Sequence, residues 1–231
     1  MNRIIKVARM QLINKWTFIG IPLLVLACSF LLTLAIWAIV RRAGAEDSVY
    51  SGGAQAPMWY FLALGIQALT LTFPFSMAMS VSRRTFYLGT VALFSVCALA
   101  LSIFYYLMGL VETATSGWGV NGQFFALGWV AENNAVVQIA FYWVLMSLLF
   151  MLGFFSATLY MRWRTTGVLL FTISLAVVLL GTVAIITYGD HWPAVGQWLA
   201  AWTAGSVTLL GAGLAVVLAG ASYLTLRKAT A

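Results

Sequence analysis

Residues 59–111 read WYFLALGIQALTLTFPFSMAMSV-SRRT-FYLGTVALFSVCALALSIFYYLMGLV. Two apolar runs, 59–81 and 86–111, are separated only by Ser82, Arg83, Arg84 and Thr85. Each run has about the ~20 residues that a helix needs to cross hydrocarbon. Strands of a membrane barrel are about half as long and alternate in polarity, which these runs do not. The stretch predicts a helical hairpin through a bilayer, with paired arginines at its tip.

Four further runs have the same character: 18–40, 136–160, 167–188 and 206–224. The chain is 63% hydrophobic and 7% charged, against about 25% charged in soluble domains. Charge is also ordered along it. Of the 12 basic residues, ten lie in four stretches without an acid: Arg3, Lys6, Arg9 and Lys15; Arg83 and Arg84; Arg162 and Arg164; Arg227 and Lys228. Glu46, Asp47, Glu112, Glu132 and Asp190 fall in the alternate gaps. Because Lys and Arg near span ends favour the cytoplasm, the alternation predicts an all-α membrane protein. It has six transmembrane helices, both termini inside, and one domain over 1–231. Arg41 and Arg42 are the exception, at the outer end of the first span. The net charge of +7 is a topology signal and implies no nucleic-acid partner. It favours anionic inner-leaflet lipid by about 1 kcal/mol per residue near the surface.

Residues 1–16 are amphipathic. At helical spacing Ile5, Ala8, Leu12 and Trp16 form one stripe, with Arg3, Lys6 and Arg9 toward the other side. This predicts an interfacial helix on the inner leaflet, turning into the bilayer near Gly20 and Pro22. The apolar run at 18–40 exceeds the ~7–15 residues of a signal core, so an uncleaved span is expected. The outer segments 41–58, 112–135 and 189–205 are rich in aromatic residues and are expected to lie on, or dip into, the outer leaflet. In the last, the turn at 189–193 precedes a short re-entrant helix at Ala194–Ala201, which must pack against the bundle to cover its backbone.

Much chemistry is missing from the sequence. There is no GxxxxGK[ST] phosphate loop and no HExxH. His191 stands beside Asp190 without a nearby nucleophile, and Cys28 and Cys97 read as packing residues within apolar runs. No charged residue lies deep in a span, which argues against a proton-coupled carrier or a voltage sensor. Gln67, Thr70, Thr72, Ser76 and Ser80 thread the 59–81 run around Pro74; Pro74 should kink it, and mild polar groups of this kind commonly bond helix to helix. Gly211, Gly213 and Gly220 point to close helix approach in the last span.

The stretch Phe75–Thr90 resembles the turn between the second and third spans of type-2 ATP-binding-cassette exporter permeases. Many of these carry G-[VI]-[ST]-R-R-x-F/Y-x-x-G there. The sequence keeps Ser82, Arg83, Arg84, Phe86 and Gly89, with Met79 and Ser80 where a glycine is frequent. The resemblance implies a permease subunit without its own nucleotide site, hence not itself an enzyme. ATP and Mg would be bound by a separate cytosolic ATPase, docked on Ser82, Arg83, Arg84 and Thr85. The helix carrying Arg3, Lys6 and Arg9 would touch that ATPase at the inner surface, and a second copy or a similar permease chain would complete a dimer. The expected location is a plasma membrane, that of a bacterial cytoplasm. Gln67 and Thr70 are candidates to line the passage of an amphipathic or hydrophobic cargo. The alternative is a non-transporting assembly or sensory subunit whose inner arginines dock another cytosolic partner.

Overall fold

The computed structural model describes Gln11, residues 16–44 and residues 49–228. Arg3, Lys6 and Arg9, the predicted interfacial helix that bears them, and Glu46 and Asp47 lie outside the described residues. The chain enters through a π-helical turn, Trp16–Gly20, into α1 (Ile21–Arg42). Pro22 sits in the first turn of α1, where a missing N–H is harmless. Arg41 and Arg42 occupy its last turn, the end at which the helix dipole favours cations. A short strand β1 (Val49–Tyr50) and a 3-10 turn (Gly53–Gln55) lead into α2 (Ala56–Gln67). A π-helical stretch (Ala68–Thr72) joins α2 to α3 (Phe73–Ala78). Then come α4 (Arg83–Ala114), β2 (Gly122–Gln123), α5 (Gly128–Ala131), α6 (Ala135–Tyr188), α7 (Trp192–Ala200) and α8 (Ala204–Lys228).

Among the described residues, five helical stretches are long and apolar enough to cross a membrane: Trp16–Arg42, Gly53–Ala78, Arg83–Ala114, Ala135–Tyr188 and Ala204–Arg227. They overlap all six predicted runs. The second starts earlier than the predicted residue 59, because Pro57 opens α2 from the first turn. It also stops sooner, at a turn in which Ser80 has φ 57°. The runs 136–160 and 167–188 are joined in one element of 54 residues, which if straight would measure ~81 Å. It is not straight. Arg164 has φ 56° and ψ −155°, a region nearly reserved for glycine. The rings of Phe155 and Phe171 lie 5.7 Å apart, whereas a continuous helix would separate those residues by ~24 Å. The chain therefore folds back at one residue, where the sequence predicted a turn of six.

In hydrocarbon, helices associate by close packing rather than by apolar burial. Here α6 packs chiefly on α8 and α2, and next on α4. The tightest crossing is reciprocal: a Cβ at Gly65 would strike the Phe150 carbonyl, and one at Gly153 would strike the Leu62 carbonyl. Of the three glycines predicted to allow close approach, only Gly211 has a neighbour, Val144 Cγ1 at 3.1 Å from its would-be Cβ; Gly213 and Gly220 face open space. Around the crossing, Phe94 stacks on Phe150 with centroids 4.0 Å apart. The Tyr87 hydroxyl donates to the Ala219 carbonyl at 2.7 Å, holding α8 to α4.

The irregularity expected at Pro74 takes the form of a widened turn. Proline lacks an N–H and crowds the carbonyl four residues earlier, here that of Thr70. The π stretch Ala68–Thr72 accommodates this just ahead of Pro74.

Two expectations change. The fold is helical, but β1 and β2 form a parallel pair, Val49 opposite Gly122 and Tyr50 opposite Gln123. This ladder ties the segment that follows α1 to the one that follows α4. The segment predicted to re-enter and pack does form a helix, α7, yet none of its residues is buried. No residue from 165 to 203 is buried either. The second arm of α6 and the whole of α7 thus present apolar side chains outward, Leu180 and Ile185 among the most exposed. The arm 165–188 is almost uniformly apolar around its axis, so sequence pattern names no face for it to bury.

Candidate functional site

The turn before α4 is built by its own side chains. Ser82 is extended (φ −66°, ψ 143°), and its Oγ accepts the Thr85 N–H at 3.2 Å. The Ser82 and Thr85 hydroxyls also pair at 2.7 Å. A serine in this position satisfies one of the free N–H groups that open a helix. Ser82 and Arg84 are exposed, whereas Arg83 and Thr85 are half-buried. Arg83 Nη1 donates to the carbonyls of Leu226 (3.3 Å) and Arg227 (3.2 Å). These belong to the last turn of α8, where carbonyls lack helical partners and the dipole draws a cation. The two predicted docking arginines are therefore unlike: Arg83 ties the turn to α8, and Arg84 projects from it.

Arg162, near the fold-back of α6, shares a cleft of about 410 Å³ with Leu224, Thr225 and Arg227 of α8. The Arg162 guanidinium lies 4.3 Å from the centre of the Trp163 ring, a cation–π contact. Three of the four basic stretches, distant in sequence, thus meet at one end of the bundle. Gln11 joins this end to the preceding segment. It is buried, and its Nε2 donates to Thr90 Oγ1 of α4 at 2.8 Å.

Gln67 and Thr70 are not part of this cluster. Gln67 is half-buried at the end of α2, and Thr70 is exposed in the π stretch. The Thr70 hydroxyl donates to the Ile66 carbonyl at 3.0 Å. About 12 Å of helix separates Thr70 from the end of α3.

Sequence reading passed over the most constrained charged group. Glu112, near the far end of α4, is 1% exposed. Its carboxylate accepts the Trp118 indole N–H at 2.8 Å and the backbone N–H groups of Phe124 (3.0 Å), Phe125 (3.1 Å) and Ala126 (2.9 Å). Such charge-assisted bonds are about twice as strong as neutral ones. They draw Phe124 and Phe125 into the core, so the segment 112–135 folds over this end of the bundle as a cap. Tyr142 donates to the Phe125 carbonyl at 3.0 Å, and Tyr105 to the Ala54 carbonyl. Arg41 Nε donates to the Val120 carbonyl at 2.9 Å. This recruitment gives a physical reason for a basic residue at the otherwise acidic end. The 32 residues of α4 span ~48 Å, well beyond a ~30 Å hydrocarbon layer, so basic turn and cap can both stand clear of it. The signal for the cap was an acid at a span end followed by a glycine- and aromatic-rich segment.

Among the described residues no group of His, Cys, Asp and Glu side chains is placed to hold a metal ion. No protein-family model, curated protein or solved structure matches this chain.

Proposed function

We propose that this chain is the transmembrane permease subunit of an ATP-driven exporter, with six spans and both termini on the cytoplasmic side. The count of six takes the two arms of α6, 135–163 and 165–188, as separate crossings, each long enough at ~1.5 Å per residue. The observation that carries the reading is the turn 82–85. It is capped by Ser82, anchored to α8 through Arg83, and presents Arg84 outward. A cytosolic ATPase pressing on such a turn moves α4 and α8 together. α4 carries the displacement to the cap that Glu112 holds at its other end. The cargo is amphipathic or hydrophobic, in keeping with spans that hold no deep charge, and Gln67 and Thr70 line its path. A second copy of the chain, or a similar permease, covers the arm 165–188, which has no buried residue of its own. The membrane is a plasma membrane, of bacterial type.

The test is isolation of the tagged chain in mild detergent from its native cells. Co-purification of an ATPase with a phosphate-binding loop, lost on Arg83→Glu with Arg84→Glu, is the expected result. A kinase or biosynthetic enzyme in its place establishes the assembly or sensory role instead. Reporter fusions at the 82–85 turn check orientation; a turn on the outer side removes the reading.

A further inference from the structure

The cleft between Arg162 and Arg227 is set apart from the 82–85 turn by its lining. It takes one arginine from the fold-back of α6 and one from the end of α8, with Leu224 and Thr225 between them. All five acidic side chains fall at positions 46, 47, 112, 132 and 190, distant in sequence from both helix ends that form it. The Thr225 hydroxyl donates to the Ala221 carbonyl at 2.8 Å, so the guanidinium groups supply the cleft's positive charge. The rim is apolar and aromatic: Leu224 is 62% and Trp163 47% exposed, and the Arg227 guanidinium lies 6.0 Å from the centre of the Tyr223 ring.

We infer that this cleft binds the phosphate headgroup of an anionic phospholipid from the leaflet on that side. Guanidinium forks match phosphate oxygens in a paired geometry, and basic pockets between membrane helices at the cytoplasmic side take such headgroups. The rim favours a lipid over a free phosphate. Exposed Trp163, which adjoins Arg162, is of the residue type that prefers headgroup level, and Leu224 gives the glycerol and upper chain an apolar surface. A bound headgroup would bridge α6 to α8 beside the Arg164 fold-back, supplying counter-charge to both guanidinium groups. The inference rests on the membrane-spanning reading and not on transport, and its test contains no ATPase.

The purified full-length chain is exchanged into mild detergent with equal phosphatidylglycerol and phosphatidylcholine, and the retained lipid is counted by native mass spectrometry. The chain is expected to favour phosphatidylglycerol about tenfold, as charge-assisted contacts allow. Arg162→Gln with Arg227→Gln should abolish that preference, while Arg84→Gln keeps it. Equal retention of the two lipids, or an unchanged preference in the double variant, overturns the inference. Displacement of phosphatidylglycerol by millimolar inorganic phosphate assigns the cleft to free anions and overturns it too. Should the double variant not fold, a photoreactive residue at Leu224 in the otherwise unchanged chain decides. Cross-linking to phosphatidylglycerol in vesicles supports the site; cross-linking only to an acidic cytosolic protein in cells refutes it.

Discussion

Trp118 donates its indole N–H to the carboxylate of Glu112 at 2.8 Å, and the same carboxylate gathers three successive backbone N–H groups at 124–126. One acid at the end of α4 thereby organises the loop that follows it. Glu112→Gln puts an amide NH2 among groups that are themselves donors. We expect it to lower stability by about 2 kcal/mol, and Glu112→Ala by about 3 kcal/mol. Hydrogen exchange should show the amides of 124–126 losing protection while those of α2 keep theirs. Unchanged protection would remove the clasp.

The crossing of Gly65 and Gly153 leaves no room for a side chain. Gly153→Val should separate α2 from α6 and destabilise the bundle by about 3 kcal/mol, in the upper range for overpacking. Gly213→Ala, which faces open space, should shift stability by no more than about 0.5 kcal/mol. Thermal unfolding in one detergent compares them.

Arg83 and Arg84 should separate in their effects. Arg83→Gln loses the bonds to the end of α8 and should cost about 1 kcal/mol. Arg84→Gln should leave the melting temperature unchanged and, under the proposed function, weaken retention of the partner ATPase. Equal melting shifts for the two variants would contradict the division of labour.

The fold-back at Arg164 is open to a chemical ruler. With Cys28 and Cys97 replaced by serine, Phe155→Cys and Phe171→Cys should be bridged by a short bifunctional thiol reagent, since the native rings are 5.7 Å apart. A pair on a straight helix would be ~24 Å apart and would not react. Cross-linked and open forms differ in gel mobility.

Helix positions were legible because span length and charge are carried by composition alone: the run 86–111 lies wholly within α4. The basic residues were legible as four stretches, but not the convergence of three of them. The Arg83 bonds to the end of α8 join residues far apart in sequence. The gap between the runs 136–160 and 167–188 marked the fold-back of α6, but not the residue that makes it, because 161–166 contains neither glycine nor proline to single out the position with φ 56°. Glu112 read as an ordinary span-end acid, since its partners are backbone N–H groups that every residue offers. The bare arm 165–188 is as apolar as packed helices, so its lack of burial is a tertiary fact. Of the paired glycines, Gly65 and Gly153 pack where the sequence had singled out Gly211, Gly213 and Gly220; only contact distinguishes them.

The π-helical stretch at Ala68–Thr72 divides its helix into unequal partners. Above it, Gly65 is locked against α6; below it, α3 leads within a few residues to the arginine turn. A π turn holds one more residue than an α turn, and here that surplus sits directly ahead of Phe73, whose ring packs on Phe86 with centroids 5.3 Å apart. The irregular turn of the second span thus lies between two fixed points, the glycine crossing on one side and the buried Phe73 on the other.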